Sequence, residues 1–338
     1  MKPDPLDICV YGAGAIGGSI AARLALAGEN LSVIARGPHG AAIAANGLTL
    51  VAGPEHNAVR NTVRIPCFDT ASPIAPQNVV VVAVKGPALP SIAAALPSLL
   101  KPDGLLVFAM NGIPWWFDQG MPVQLPDWLR ALIDPDRLLE RTLAPQSIVG
   151  CVVQSSNEIV MPGVVMNTTP QRNNLIMGKP DGTCDALLER FTARLCAAGY
   201  QARLTSHIRD EIWTKTLLAS SAGSVAALTG CALDRLVADP QARSVLATIM
   251  HDGTAIGRAL GLQVNEDIEA RLDFYRGKLV RPSMLQDLEM GRPAEVENSI
   301  LVFAELASAL GLDLPVTQTV TALLRMKKQS ACAASTGA

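Results

Sequence analysis

At 338 residues, with 49% hydrophobic residues and a formal net charge of −2, the chain can build a large core, and its length favours two domains over one. No basic block breaks this near-neutral balance, which argues against nucleic-acid binding, and the longest apolar runs, such as Val79 to Val84, are far too short to cross a bilayer. Seven cysteines without a Cys-x-x-Cys pair do not describe a disulfide framework, and His39, His56, His207 and His251 lack metal-ligand spacing; a cytoplasmic chain with reduced thiols, no metal site and no membrane partner is expected.

The first predicted element is a strand over Leu6 to Tyr11, followed by the glycine turn Gly12-Ala13-Gly14-Ala15-Ile16-Gly17 and an Ala/Leu-rich helix reaching Gly28. A second strand, Leu31 to Ala35, completes a βαβ unit. Such a turn presents unpaired helix N–H groups and a positive dipole end to a pyrophosphate: Gly12 suits the tight turn, Gly14 admits the phosphates and Gly17 lets helix pack on strand. Arg36, where an acid would bind a ribose diol, instead suits a 2′-phosphate, so NADP(H) is expected over NAD(H).

A short helix over residues 41 to 46 and strands over 48 to 51 and 62 to 65, around a polar turn, come next. Asn78 to Val84 reads as a parallel strand buried on both faces, and a helix is predicted from Leu89 to Leu100. A turn at Lys101-Pro102-Asp103-Gly104 precedes a strand over Leu105 to Met110. Lys85 and Asn111 each follow a strand's carboxyl end, where open α/β sheets bind ligands; a snorkelling lysine and a turn asparagine before Gly112 explain the same residues without a ligand. The aromatics Trp115, Trp116 and Phe117 open an irregular insertion reaching Pro135, readable as a lid, a pocket wall or a satellite core. Strands over 147–155, 159–166, 175–178 and 201–204 and a helix over 184–198 close an α/β Rossmann-like domain, 1–205.

From Ser206 the pattern is helical, giving an all-helical domain over 206–328 and a flexible tail over 329–338. Its first helix carries Trp213-Thr214-Lys215. A lysine in apolar surroundings can act as a general acid, while an i,i+4 surface pair with Glu211 explains it without chemistry. A second cluster is Ser283-Met284-Leu285-Gln286-Asp287, followed by Gly291-Arg292-Pro293-Ala294-Glu295, where proline and glutamate also suit a helix start.

The glycine fingerprint, Arg36-Gly37-Pro38-His39, Val84-Lys85, Asn111-Gly112, Trp213-x-Lys215 and the two later clusters together resemble ketopantoate reductase (2-dehydropantoate 2-reductase), in order and over nearly the whole chain. The resemblance implies a Rossmann domain followed by a helical domain, with catalysis in the cleft, and reduction of a small 2-oxo acid, 2-dehydropantoate, to pantoate in pantothenate biosynthesis. By it, Lys215 gives the proton, Glu295 sits beside it on the cofactor side, Asn111 meets both nicotinamide and substrate, and Ser283 binds substrate. Arg36, Lys85 and Arg292 serve the cofactor with Gly12, Ala13, Gly14, Ala15, Ile16 and Gly17. A homodimer is the candidate assembly. At three positions where the family has asparagines this chain has Ala219, Gly223 and Leu233, and a site with fewer polar partners favours a less polar ligand. Two alternatives follow: a reductase of a bulkier or more apolar 2-oxo acid, and a non-catalytic NADP(H)-binding regulator.

Overall fold

The computed structural model describes residues 5–53, 58–291 and 294–336. Residues 54–57, within the polar turn expected between the strands over 48–51 and 62–65, lie outside them. The chain forms two compact units, Met1–Asn111 with Arg137–Ile208, and Gly112–Asp136 with Arg209–Ala338. The insertion expected within a domain ending at 205 therefore belongs to the second unit, because its aromatics pack there.

In chain order the elements are β1 (Asp7–Tyr11), α1 (Ala15–Leu26), β2 (Asn30–Ile34), α2 (Gly37–Asn46), β3 (Leu48–Ala52), β4 (Val59–Val63), β5 (Cys67–Phe68), β6 (Gln77–Val82), β7 (Leu100–Phe108), α3 (Asp127–Ile133) and α4 (Leu138–Thr142). They continue with β8 (Ile148–Gln154), β9 (Asn157–Met161), β10 (Val164–Asn167), β11 (Asn174–Gly178), α5 (Ala186–Ala197) and β12 (Gln201–Leu204). The first unit holds an eight-stranded sheet, ordered β12-β11-β8-β7-β6-β1-β2-β5, and a four-stranded sheet, β4-β3-β10-β9. The large sheet is parallel from β8 to β5, with β11 antiparallel to β8. Val79 to Val82 in β6 are at most 1% exposed, as a strand covered on both faces requires.

Helix α1 buries Gly17, Gly18, Ser19, Ile20, Ala21, Ala22 and Leu24, which spread around its whole circumference. A helix apolar all round must be covered all round, and the four-stranded sheet supplies the second cover by packing on α1. Gly18 makes that approach feasible: a Cβ there would sit 2.8 Å from Val165 Cγ2 of β10. On the other side Ser19 Oγ and the buried Tyr200 hydroxyl share a 3.1 Å hydrogen bond.

Two expectations give way here. Leu89 to Leu100 is not an α-helix but two 3-10 stretches, Pro90–Ala95 and Pro97–Leu99, following a 3-10 turn at Gly86–Ala88, and each of the two begins at a proline that cannot donate a backbone hydrogen bond. The turn at Lys101 to Gly104 is absorbed into β7 as an irregularity, with Asp103 at φ 61° and a register shift against β6.

In this unit burial raises the Cys9 thiol from 9.0 to about 11 and the Tyr200 phenol from 10.0 to about 12. Both stay neutral in the folded state after the unfolded chain has ionised, so their stabilisation is complete below the unfolded values and is lost as pH rises through the folded ones. Stability is therefore expected to fall between pH 9 and 12 by roughly 2–3 kcal/mol per group. Urea unfolding across that range should show it, with Tyr200→Phe making the fall shallower above pH 10 and leaving it unchanged below.

The second unit contains α6 (Ile208–Thr229), α7 (Leu233–Ala238), α8 (Pro240–Ala259), α9 (Ile268–Asp273), α10 (Ser283–Glu289), α11 (Val302–Ala309) and α12 (Pro315–Thr336). A π-helical turn, Glu297–Leu301, leads into α11. Helix α12 continues to Thr336, where a frayed tail from 329 was expected. Trp116 and Phe117 are fully buried in this unit, and the Phe117 ring lies 5.8 Å from that of Trp213. Arg209 Nε donates to the Phe117 carbonyl at 2.5 Å, so the insertion is a packed part of this core. Among the described residues no helix is long and apolar enough to cross a membrane.

Candidate functional site

In the first unit the glycine turn has a distinct physical reason for each glycine. Gly12 sits at φ 96°, and a Cβ there would meet the Ala83 carbonyl oxygen at 2.8 Å. A Cβ on Gly17 would overlap the Gly12 carbonyl oxygen and touch Val10 Cγ1 and Ala83 Cβ at 3.0 Å. Gly14, the N-cap of α1, differs: nothing lies within 4 Å of where its Cβ would be. The first turn of α1 carries no acidic residue and its cap makes no side-chain hydrogen bond. Ala15, Ile16 and Gly17 open the helix, with N–H groups that have no acceptor inside it. An open cradle at a helix N-terminus fits a dinucleotide pyrophosphate.

The turn is held by its neighbours. Gly12 N–H and Ala13 N–H both donate to the Ile34 carbonyl, at 2.9 and 3.2 Å. His39, in the first turn of α2, bonds the Ala13 carbonyl through Nε2 at 2.9 Å and accepts Gly163 N–H at Nδ1 at 3.1 Å. In the sequence His39 enters only as the last residue of the Arg36-Gly37-Pro38-His39 run, with no role of its own, because its partner Gly163 lies 124 residues away.

Arg36 is the exposed N-cap of α2. Burial pushes the Tyr11 phenol up and the Arg36 cation opposes it, which places that charge near the end of β1. Lys85, exposed, caps the 3-10 turn after β6, and the half-buried Asn111 follows β7. Because β1, β6 and β7 are adjacent and parallel, the glycine turn, Lys85 and Asn111 follow the carboxyl ends of neighbouring strands along one edge of the sheet.

In the second unit Trp213 fixes the rotation of α6. Its ring is fully buried, stacks on Phe303 with centroids 4.8 Å apart, and donates Nε1–H to the Gly253 carbonyl at 2.9 Å. Gly253 and Gly257 of α8 make room for this packing, since a Cβ on Gly257 would lie 2.5 Å from Trp213 Nε1. Two residues on, about 200° around the helix, Lys215 is turned away from that anchor and is half-buried. On α6 beyond it come Ala219, exposed, and Gly223, whose absent Cβ would meet Met284 at 3.8 Å. Ser283, exposed, starts the helix that brings Met284 to α6. The half-buried Glu295 lies between Ala294 and Val296, which join the same core cluster as Ala222, Val225 and Met284. Leu233 is buried in that cluster. Arg292 and Pro293 lie outside the described residues.

Among known proteins, the family model "Ketopantoate reductase PanE/ApbA" matches residues 8–116, and its C-terminal counterpart matches residues 207–328. A 2-dehydropantoate 2-reductase of Mesorhizobium japonicum is 34% identical over 325 residues, covering 95% of this chain and 97% of that protein. A crystal structure assigned to ketopantoate reductase in Ralstonia solanacearum has a TM-score of 0.87 at 33% identity, covering 97% of this chain and 99% of the other. D-mandelate dehydrogenase with NADH and anilino(oxo)acetate shares the fold at TM-score 0.79 and 17% identity, over 96% and 99% of the chains. The two family models and the 34% identical relative place the chain, with its Rossmann-like sheet and helical C-terminal region, among NAD(P)-dependent oxidoreductases acting on CH–OH groups. Within that class, the chain belongs to the ketopantoate reductase family.

Proposed function

We propose that this chain reduces 2-dehydropantoate to pantoate with NADPH, as a step of pantothenate biosynthesis. The observation that carries the reading is Trp213, whose burial in the helical core leaves the half-buried Lys215 on another side of α6. When bound, the reduced dinucleotide supplies the hydride that goes to the substrate's carbonyl carbon. Lys215 stabilises the developing alkoxide and gives it the proton, leaving a neutral amine that solvent reprotonates. Asn111 orients the carbonyl and the carboxamide of the cofactor, Glu295 positions Lys215 and the cofactor, and Ser283 holds the acid through its hydroxyl. The backbone from Gly12 to Gly17 takes the pyrophosphate, and Lys85, Arg36 and Arg292 supply positive charge to the dinucleotide.

A second reading, reduction of a more apolar 2-oxo acid, is favoured by Ala219 and Gly223. These two positions follow Lys215 at one-turn spacing and offer no polar side chain, and Gly223 is not forced by packing. Dinucleotide oxidation measured against 2-dehydropantoate, branched and aryl 2-oxo acids decides between them by kcat/KM. Oxidation with none of them would leave a dinucleotide-binding protein without this chemistry. NADPH should be preferred to NADH, and Arg36→Ala should weaken NADPH about tenfold while leaving NADH within about twofold, read as Kd.

A further inference from the structure

We propose that His39 is a positioning residue for dinucleotide binding, holding the Ala13–Gly14 peptide so that the Gly14 N–H faces the phosphates. The inference rests on the dinucleotide part of the function proposed above. A backbone N–H can only donate, so the bond from Gly163 N–H at 3.1 Å requires a lone pair on Nδ1. The imidazole is then neutral with its proton on Nε2, which donates to the Ala13 carbonyl at 2.9 Å. Burial favours the same form, holding His39 below its ordinary 6.5 against the pull of that carbonyl.

The Ala13–Gly14 peptide is planar and trans, so its C=O and N–H point in opposite directions. An imidazole that fixes the carbonyl on one side therefore fixes Gly14 N–H on the other. Gly14 is the N-cap whose missing side chain leaves open space. The other end of the brace is firm as well. Gly163, at φ 78° in the turn between β9 and β10, accepts Thr49 N–H at 2.9 Å and lies close to Ala42 of α2. His39 thus ties the glycine turn to α2 and to the four-stranded sheet that covers α1.

The two ring nitrogens can be tested separately. Glutamine places an amide donor near Nε2 and keeps the Ala13 bond, whereas asparagine places an acceptor near Nδ1 and keeps only the Gly163 bond. Kd for NADPH and for NADH, read from fluorescence of the bound dinucleotide, is expected to rise about tenfold in His39→Asn and His39→Ala and to stay within about twofold in His39→Gln. KM for the dinucleotide should follow Kd, with kcat at saturation changed less than about twofold, and both dinucleotides should be affected alike, unlike in Arg36→Ala. A merely structural role predicts equal losses in the asparagine and glutamine variants, tracking their Tm. That result, or wild-type affinity in His39→Asn, overturns the assignment and leaves the reductase reading standing. A wild-type protein that binds neither dinucleotide overturns both.

Discussion

Lys215→Ala is expected to lower kcat by about 10²–10⁴-fold while dinucleotide Kd stays within about threefold. The size follows from removing the group that both neutralises the alkoxide and gives it a proton, and the selectivity follows from the fold. Lys215 belongs to the helical unit, whereas the glycine turn and Arg36 belong to the sheet unit. The substitution should be benign for stability, because the anchor of α6 is Trp213 on a different side of the helix, and alanine is a good helix former. Lys215→Arg separates the two roles. A guanidinium keeps the positive charge but holds its proton too tightly to give it up, so this variant should regain only part of the kcat lost in Lys215→Ala. Near-wild-type turnover in Lys215→Ala removes the lysine from the mechanism and with it the main support for the proposed reaction.

The parts of this arrangement that were legible in the sequence are those written in short-range pattern. The glycine turn declares itself because Gly12, Gly14 and Gly17 sit between an apolar strand and an Ala-rich helix, and Val79 to Val82 can only be a strand covered on both faces. The parts that were not legible depend on distant partners. Pro90 and Pro97 sit in a stretch whose apolar spacing reads as a helix, yet each removes a donor, and 3-10 turns result. Lys101 to Gly104 has turn composition, but the sheet draws it into β7. The short helices α7 and α10 have little local signal and are set by packing in the core shared by Leu233, Leu236, Met284 and Leu285. The allegiance of Trp116 and Phe117 is decided by Trp213 and Arg209, far along the chain. His39 is the sharpest case: its partner Gly163 lies 124 residues away, so no local pattern could reveal the brace.

Gly14→Ala and Gly17→Ala, three residues apart in one turn, are expected to fail in different ways, and the contrast tests whether the turn holds a dinucleotide. At Gly14 the new methyl meets no protein atom within 4 Å and the backbone is extended, so folding and Tm should be unchanged. The methyl would occupy the approach of a pyrophosphate to the helix N-terminus, and dinucleotide affinity should fall by about 100-fold. At Gly17 the methyl overlaps the Gly12 carbonyl oxygen and presses on Val10 and Ala83, so the helix must move off the strand. Overpacking of this kind costs about 1–3 kcal/mol, and the displaced α1 would carry its N–H groups away from the phosphates. Gly17→Ala should therefore lose both Tm and affinity, whereas Gly14→Ala loses affinity alone. Thermal unfolding and dinucleotide titration on the two variants supply the check. If Gly14→Ala binds NADPH as the wild type does, the open space at the start of α1 is not where the phosphates lie, and a dinucleotide would have to be held elsewhere on the sheet edge.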